Sequence, residues 1–167
     1  DGKMDSTVKA PEIEDDTDTE QGGNTGSSGT VTYTIWDGTT ATAPTKGAGS
    51  EADPIIINEA AELYYVIKNG GAADTYYKLN KDIYLNDLTK VNWLTGTIAE
   101  GYSVNKWLMG VNAVFQGHID GNAHTIYGLY VQDDKLTYST YHSYGAGLIP
   151  HVSTGTTTIK NLAIDNS

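Results

Sequence analysis

Two histidines occupy equivalent positions in two copies of a motif, which makes them the first candidates for a metal site. Phe115-Gln116-Gly117-His118-Ile119 aligns with Leu148-Ile149-Pro150-His151-Val152 at an offset of 33 residues. Alternation along a strand directs His118 outward, opposite to Ile119, and places His151 beside it one repeat away. Two stacked imidazoles can bind a transition metal or sense pH. Because no third ligand accompanies them, the sequence predicts a solvated histidine ladder with no metal and no cofactor.

Three aspartates are the candidates for hydrolytic chemistry, since a glycosidase needs two carboxylates about 5–10 Å apart in a groove. Asp82, Asp120 and Asp165 each fall at a turn or a strand edge, where aspartates usually bond their own backbone. Polysaccharide lyases of the pectate-lyase type use clustered carboxylates and commonly an arginine base, and this chain contains no arginine. The sequence therefore predicts a protein that is not an enzyme.

Aromatic side chains are concentrated in two long segments outside the repeat, residues 86–112 and 132–146. Aromatic residues on loops beside a rigid scaffold often present their faces to sugars or to protein partners. The alternative is that they fold back and pack on the scaffold, which is the role we assign to Trp107. The predicted ligand-binding residues are Tyr138, Tyr141, His142, Tyr144, Trp93 and Tyr102.

Charge and composition exclude several classes of partner. The 167 residues include 21 acidic and 10 basic side chains, which gives a formal net charge of −11. Binding to nucleic acid depends on neutralising phosphates, so a chain this acidic disfavours nucleic acid and anionic membrane surfaces alike. No apolar run approaches the roughly 18 residues of a membrane span. Cysteine is absent, which excludes disulfides and thiolate chemistry.

The chain divides into a tail and one folded domain. Residues 1–29 are acidic and then rich in Gly and Ser, a composition that predicts a flexible tether. The acidic start resembles the export tethers of surface lipoproteins in Gram-negative bacteria, which implies a lipid anchor upstream of Asp1. Residues 30–167 form the predicted domain, beginning with a strand that includes Val31 and Ile35.

One helix is predicted near the start of this domain, after a short buried strand at residues 54–57. Asn58 has the chemistry of its N-cap, and Gly70 and Gly71 end it. Between them, apolar residues recur with the spacing of one helix face, at Ala60, Leu63, Tyr64 and Ile67. A single helix followed by β structure suits a cap on the first turn of a solenoid.

The 33-residue offset continues without a gap, since residues 125–131 align with 158–164 and a weaker third copy includes residues 79–85. Two short strands per copy, joined by a tight turn, need stacked neighbours to bury their apolar face. The sequence predicts a mainly all-β domain, a short right-handed parallel β-solenoid. A β-sandwich is the alternative, although its strands need not repeat in register. The predicted common core contains Ile119, Ile126, Leu129, Ile159 and Leu162.

Residues 115–129 carry a family resemblance. They read F-Q-G-H-I-D-G-N-A-H-T-I-Y-G-L, which resembles the F-x-G-x-x-D-G-N-x-H-x-I-x-G-L rung of bacterial cell-surface β-helix proteins with GLUG-type repeats. Gly147-Leu148-Ile149-Pro150 stands where that family has Gly-Leu-x-Gly, with Pro150 in place of the final glycine. The resemblance covers about residues 36–167. It implies a right-handed β-helix on secreted or outer-surface proteins, often adhesin-like, and no particular chemistry.

The expected function is a surface-exposed binding or adhesive module that recognises a glycan or a protein partner. Its expected location is the extracellular face of a Gram-negative outer membrane, or outside the cell. Two alternatives are an accessory lipoprotein subunit of an outer-membrane assembly such as a nutrient importer, and the N-terminal part of a carbohydrate-active enzyme. Because the last strand reaches Ser167 uncovered, we expect further rungs or another chain to cover it.

Overall fold

The computed structural model describes residues 33–108, 114–132, 147–153, 155 and 157–167. The predicted tether, residues 1–29, lies outside the described residues, as does Val31. Within them the chain forms nine short strands and one helix. In chain order these are β1 (Ile55–Ile57), α1 (Ala60–Lys68), β2 (Tyr76–Leu79), β3 (Ile83–Tyr84), β4 (Val91–Asn92), β5 (Thr97–Ile98), β6 (His118–Asp120), β7 (Thr125–Tyr127), β8 (Ile159–Lys160) and β9 (Ala163–Asp165). The prediction of a mainly β domain with one N-terminal helix is confirmed.

Two parallel sheets organise the domain. The first has the order β1-β2-β6-β8 and the second β3-β7-β9, while β4 and β5 form a separate antiparallel hairpin. The chain passes from the first sheet to the second three times, in the pairs β2–β3, β6–β7 and β8–β9. Ile35 adds a parallel bridge to Tyr84 beside the second sheet. Each pass therefore stacks on the previous one with its strands in the same direction.

The constant offset of 33 residues is not the register of the strands. Ile119 lies opposite Ile159, 40 positions along the chain, and Ile126 lies opposite Ile164, 38 positions along. Four residues separate β6 from β7 and two separate β8 from β9, which accounts for the change from 40 to 38 positions. The offset already differs from 33 before these turns, because Phe115 bridges Val152, 37 positions along, so the ungapped alignment misplaces the second copy.

Helix α1 lies close to its predicted limits but begins differently. Glu59 occupies the N-cap position without a side-chain capping bond, so the prediction of Asn58 as N-cap is wrong. Instead the Glu62 carboxylate accepts a hydrogen bond from the Asn58 backbone N–H at 2.7 Å. At the other end, the backbone N–H groups of Gly70 and Gly71 donate to the carbonyls of Ile67 and Val66. This pair of hydrogen bonds ends many helices.

The core lies between the two sheets and under α1. Ile119, Ile126 and Leu129 are buried in it, and Leu162 is partly buried against it, as predicted. Ile159 is 45% exposed, and its prediction as a core residue is wrong. Ile159 belongs to β8, the edge strand of the first sheet, so no described strand packs beyond it.

Leu129 and Ile159 provide a direct test of this core. Leu129→Ala is expected to lower the free energy of unfolding by about 2–5 kcal/mol, because it empties a packed site. Ile159→Ala should cost less than about 1 kcal/mol, since the side chain is already half in water. Urea denaturation followed by circular dichroism measures both. Equal losses for the two variants would contradict the placement of Ile159 at the edge.

Candidate functional site

His118 occupies the outer face of the first sheet, opposite to the core residue Ile119, yet only 6% of its surface is exposed. Its ring stacks on that of Tyr76 with 4.3 Å between centroids, and its Nδ1 lies 3.0 Å from Thr158 Oγ1. These neighbours shield the imidazole from water. The outward direction predicted for His118 is thus correct, but the predicted solvated ladder is wrong.

The predicted pairing of His118 with His151 is also wrong. The cross-strand position beside His118 belongs to Thr158, since Ile119 pairs with Ile159. His151 instead lies beside Phe115, whose backbone N–H donates to the His151 carbonyl at 2.8 Å. Within the described ranges, no group of three or more His, Asp or Glu side chains is arranged to hold a metal ion.

The buried histidine lines a groove of about 500 Å³. Its floor is the outer face of β2, β6 and β8, and its wall is the loop before β1, through Glu51, Ala52 and Pro54. The outward side chains on the floor are Tyr76, Lys78, His118, Asp120, Thr158 and Lys160. None of these groove residues was among the predicted ligand-binding residues.

The loop that forms the groove wall is held by its backbone. The N–H groups of Ala48 and Gly49 both donate to the Asp53 carbonyl, at 3.1 and 2.8 Å, and the Tyr76 N–H donates to the Gly49 carbonyl at 2.9 Å. Gly47 enters this turn with φ +92°, and a Cβ there would collide with the Pro54 carbonyl oxygen. Glycine is therefore required where the wall meets the sheet.

Charges of alternating sign cross the floor of the groove. The register places Lys78 opposite Asp120 and Asp120 opposite Lys160, on strands about 4.8 Å apart. Lys160 Nζ lies 3.7 Å from Asp120 Oδ2. Opposite charges at directly facing positions attract, which favours this register. Lys78 makes no ion pair within 4 Å in the described part of the chain, so its ammonium group is available to a ligand.

Asp120 is held in its ionised form. Its Oδ1 accepts hydrogen bonds from the Asn122 backbone N–H at 2.8 Å and from Asn161 Nδ2 at 3.0 Å. These bonds, the backbone one first, lower the pKa of Asp120 below its ordinary value, and the positive charges of Lys160 and Lys78 act in the same direction. The carboxylate is therefore an acceptor at neutral pH.

Two further polar atoms in the groove have no hydrogen-bond partner among the described residues: the Nε2 atom of His118 and the hydroxyl of Tyr76. The His118 ring is fixed by its stack and by Thr158, and the Tyr76 ring is half-buried. Both groups are therefore held in place before any ligand arrives. Such preorganisation reduces the entropy lost on binding.

The structure describes two of the six residues predicted to bind a ligand, Trp93 and Tyr102. Tyr138, Tyr141, His142 and Tyr144 lie outside the described residues. Trp93 is half-buried just after β4, and its indole N–H is buried without a partner in the described ranges. Neither Trp93 nor Tyr102 lines the groove. A ligand-binding role for these six residues stays a prediction.

Tyr102 has a clear structural role. Its hydroxyl donates to Asn86 Oδ1 at 3.1 Å and accepts from the Asp87 backbone N–H at 3.0 Å. Burial is the main cause that raises the pKa of Tyr102 above its ordinary value. Trp107, by contrast, is 2% exposed and packs in the core, as predicted.

The three aspartates considered for hydrolysis are engaged in turns and bridges. Asp82 Oδ1 accepts from the Thr125 backbone N–H at 2.9 Å and lies 3.1 Å from His124 Nδ1. Asp165 accepts from the Asn166 backbone N–H at 2.8 Å. Asp120 accepts from the Asn122 backbone N–H and from Asn161 Nδ2. Each carboxylate fixes backbone conformation, which is the ordinary role of aspartate at a turn.

No helix in the described ranges has the length and apolar character needed to cross a membrane.

Comparison with known proteins gives one distant similarity. No protein-family model matches the chain, and no solved structure matches it. Halomucin of Haloquadratum walsbyi is 29% identical over 136 residues. The aligned stretch covers 81% of this chain, and the chain spans about 1% of the length of halomucin. The chain is thus similar to a small part of a very long protein, and the resemblance to GLUG-type repeats stays a prediction.

Proposed function

We propose that this chain is a surface-exposed binding module, without enzymatic activity, that recognises a glycan or a protein partner. The groove on the outer face of the first sheet carries this proposal. Its floor combines a fixed imidazole, a tyrosine hydroxyl and charges of both signs, a set of convergent polar groups in a concave site. Such groups offer directional contacts to a ligand and leave the apolar core on the other side undisturbed.

The scaffold of the module is a short right-handed parallel β-solenoid. Three successive passes between the same two parallel sheets support it. So do the corners, where Gly121 and Ala123 donate backbone hydrogen bonds to the carbonyls of Lys160 and Asn161, and Asn122 Nδ2 donates to the Leu79 carbonyl at 3.3 Å. Stacked turns bonded to one another are expected when each pass is one coil of a solenoid.

A non-enzymatic role agrees with the state of the aspartates. A glycosidase needs one carboxyl group kept protonated as general acid beside a second carboxylate. Asp120, the aspartate on the floor, has a lowered pKa, the opposite of what a general acid requires. Asp82 and Asp165 are bonded to backbone N–H groups. These contacts argue against a role of the three aspartates in hydrolysis.

The location that fits this module is the extracellular face of a Gram-negative outer membrane, or outside the cell. The resemblance of residues 115–129 to the rungs of bacterial surface proteins supports an exposed location. The similarity to about one hundredth of halomucin also fits a module that forms part of a longer chain. At that location, the expected partner is a glycan or an outer-membrane protein.

A glycan array, combined with a pull-down from outer-membrane extracts, tests the proposal. We expect the purified chain to retain at least one glycan or one protein. Any glycan retained is then incubated with the chain, and new reducing ends or unsaturated products are measured. Retention without products is the expected result. Release of products shows an enzyme, and the absence of any retained partner in both assays shows that the chain is not a binding module.

A further inference from the structure

We infer that the groove binds a neutral glycan, with Tyr76, Lys78, His118 and Asp120 as its contacts. This inference rests on the proposed function, because it names the ligand class and the site of the same binding module. It differs from the sequence prediction, which placed the ligand on aromatic loops.

The pattern of donors and acceptors on the floor points to hydroxyl groups. The ammonium groups of Lys78 and Lys160 only donate hydrogen bonds, whereas the ionised Asp120 between them only accepts. A hydroxyl group does both, so neighbouring hydroxyls on one sugar can bond to a lysine and to the adjacent aspartate. A peptide backbone also carries donors and acceptors, but it satisfies them best at a sheet edge, and this floor is a sheet face.

The balance of charge favours a neutral ligand. Lys78 and Lys160 on the floor are matched by Asp120 and by Glu51 on the wall, so the groove carries no net charge. Residues 34–167, which form the unit that contains the groove, hold 13 acidic and 8 basic side chains, a net charge of −5, and a field of that sign repels a uronate or a sulfated polymer. A sugar chain without charge avoids this repulsion and still finds donors and acceptors.

His118 is a buried polar residue that lines the groove. His118 as a whole is 6% exposed, yet its Nε2 atom is not fully buried, so a ligand in the groove can reach this nitrogen. Because Thr158 Oγ1 already engages Nδ1 at 3.0 Å, Nε2 is the nitrogen left for a ligand. The groove volume of about 500 Å³ lies within the range of small-ligand sites, roughly 300–1,000 Å³.

The test uses the whole chain and five defined probes. Maltohexaose, cellohexaose, mannohexaose and chitohexaose are the neutral probes, and a galacturonate hexamer is the acidic one. Saturation-transfer NMR detects binding, and calorimetry measures the affinity. We expect at least one neutral probe to bind and the galacturonate hexamer to bind more weakly.

Three substitutions remove one contact each and keep the side-chain size: Tyr76→Phe, Lys78→Met and Asp120→Asn. Each has its circular dichroism spectrum and melting temperature compared with the unmodified chain. Lys78→Met is expected to weaken binding by about tenfold or more, as for a lost hydrogen bond to a charged group. Tyr127→Phe is the matched control, because Tyr127 also lies in a stacked pair, with Tyr84 at 4.9 Å, but on the second sheet. It should bind like the unmodified chain.

Each of the other outcomes contradicts one part of the inference. If no neutral probe binds, the neutral-glycan site is wrong. If a probe binds and all three folded groove variants bind equally well, the groove is wrong while a binding module elsewhere on the chain still stands. Preference for the galacturonate hexamer overturns the ligand class. Failure of the array and the pull-down, by contrast, removes the proposed function itself.

Discussion

Replacing Trp107 with alanine is expected to lower the free energy of unfolding by about 3–5 kcal/mol, the range for emptying a large aromatic site. Trp107 is 2% exposed. Its ring lies 5.3 Å from that of Trp36 and 5.1 Å from that of Tyr64, both edge-on. Its Nε1 also donates to the Leu148 carbonyl at 2.9 Å. The substitution therefore removes packing, two aromatic contacts and one buried hydrogen bond together.

Trp93→Ala is the matched control for this prediction. Trp93 is half-buried, and it lies in the turn of the β4–β5 hairpin rather than in the core. Its loss should cost about 1 kcal/mol, as for an ordinary substitution outside the core. Urea titrations of both variants, followed by far-ultraviolet circular dichroism, give the two values. Similar losses would mean that the cluster around Trp107 contributes no more than an ordinary partly exposed side chain.

Asn86→Leu is expected to cost at least about 3 kcal/mol, since it leaves several buried polar groups without partners. Asn86 is completely buried. Its Nδ2 donates to the carbonyls of Asn105 and Gly128 at 2.9 and 2.8 Å. Its Oδ1 accepts from the Asn105 N–H at 2.7 Å and from the Tyr102 hydroxyl at 3.1 Å. Both donors and both lone pairs of the amide are thus used.

Asn86→Asp separates the donor bonds from the acceptor bonds. The aspartate keeps an oxygen for Asn105 and Tyr102, but it places a second oxygen against two carbonyls. Protonation restores one donor, so the variant should be less destabilised at pH 4 than at pH 7, relative to the unmodified chain at each pH. Asn80→Leu is the control, because Asn80 is exposed and should change stability by only about 0.5 kcal/mol. A pH-independent loss for Asn86→Asp would contradict the donor role of Nδ2.

Local sequence patterns were sufficient to predict the features that depend on residues close together in the chain. The spacing of Leu63, Tyr64 and Ile67 predicted α1, and alternation around Ile119 predicted which side of β6 faces the core. The register depends on the length of every connection between paired strands, which the apolar pattern does not encode. For that reason Ile159 was assigned to the core and His151 was placed beside His118.

The groove and the Asn86 contacts depend on residues far apart in the chain. Asn86 bonds to groups 19 and 42 positions away, and no local pattern distinguishes it from the exposed Asn80. The wall of the groove comes from residues 51–54, its floor from residues 76–78, 118–120 and 158–160. The signal that was available is the alternation of Tyr76 and Lys78 with the buried Tyr77 and Leu79. It becomes informative only once the partner strands are known.

The hydrogen bonds of the Tyr102 hydroxyl indicate where this chain can accept inserted residues. By joining the Asp87 N–H to the Asn86 side chain, it brings the two ends of the intervening hairpin together at one point. At the tip, Gly96 has open space around the position of a Cβ. Because the entropy cost of closing a loop rises only with the logarithm of its length, extra residues inserted at Gly96 add little to the cost of folding. Evolution can lengthen this hairpin, and an engineer can graft a foreign epitope there, without separating the sheets that hold the core.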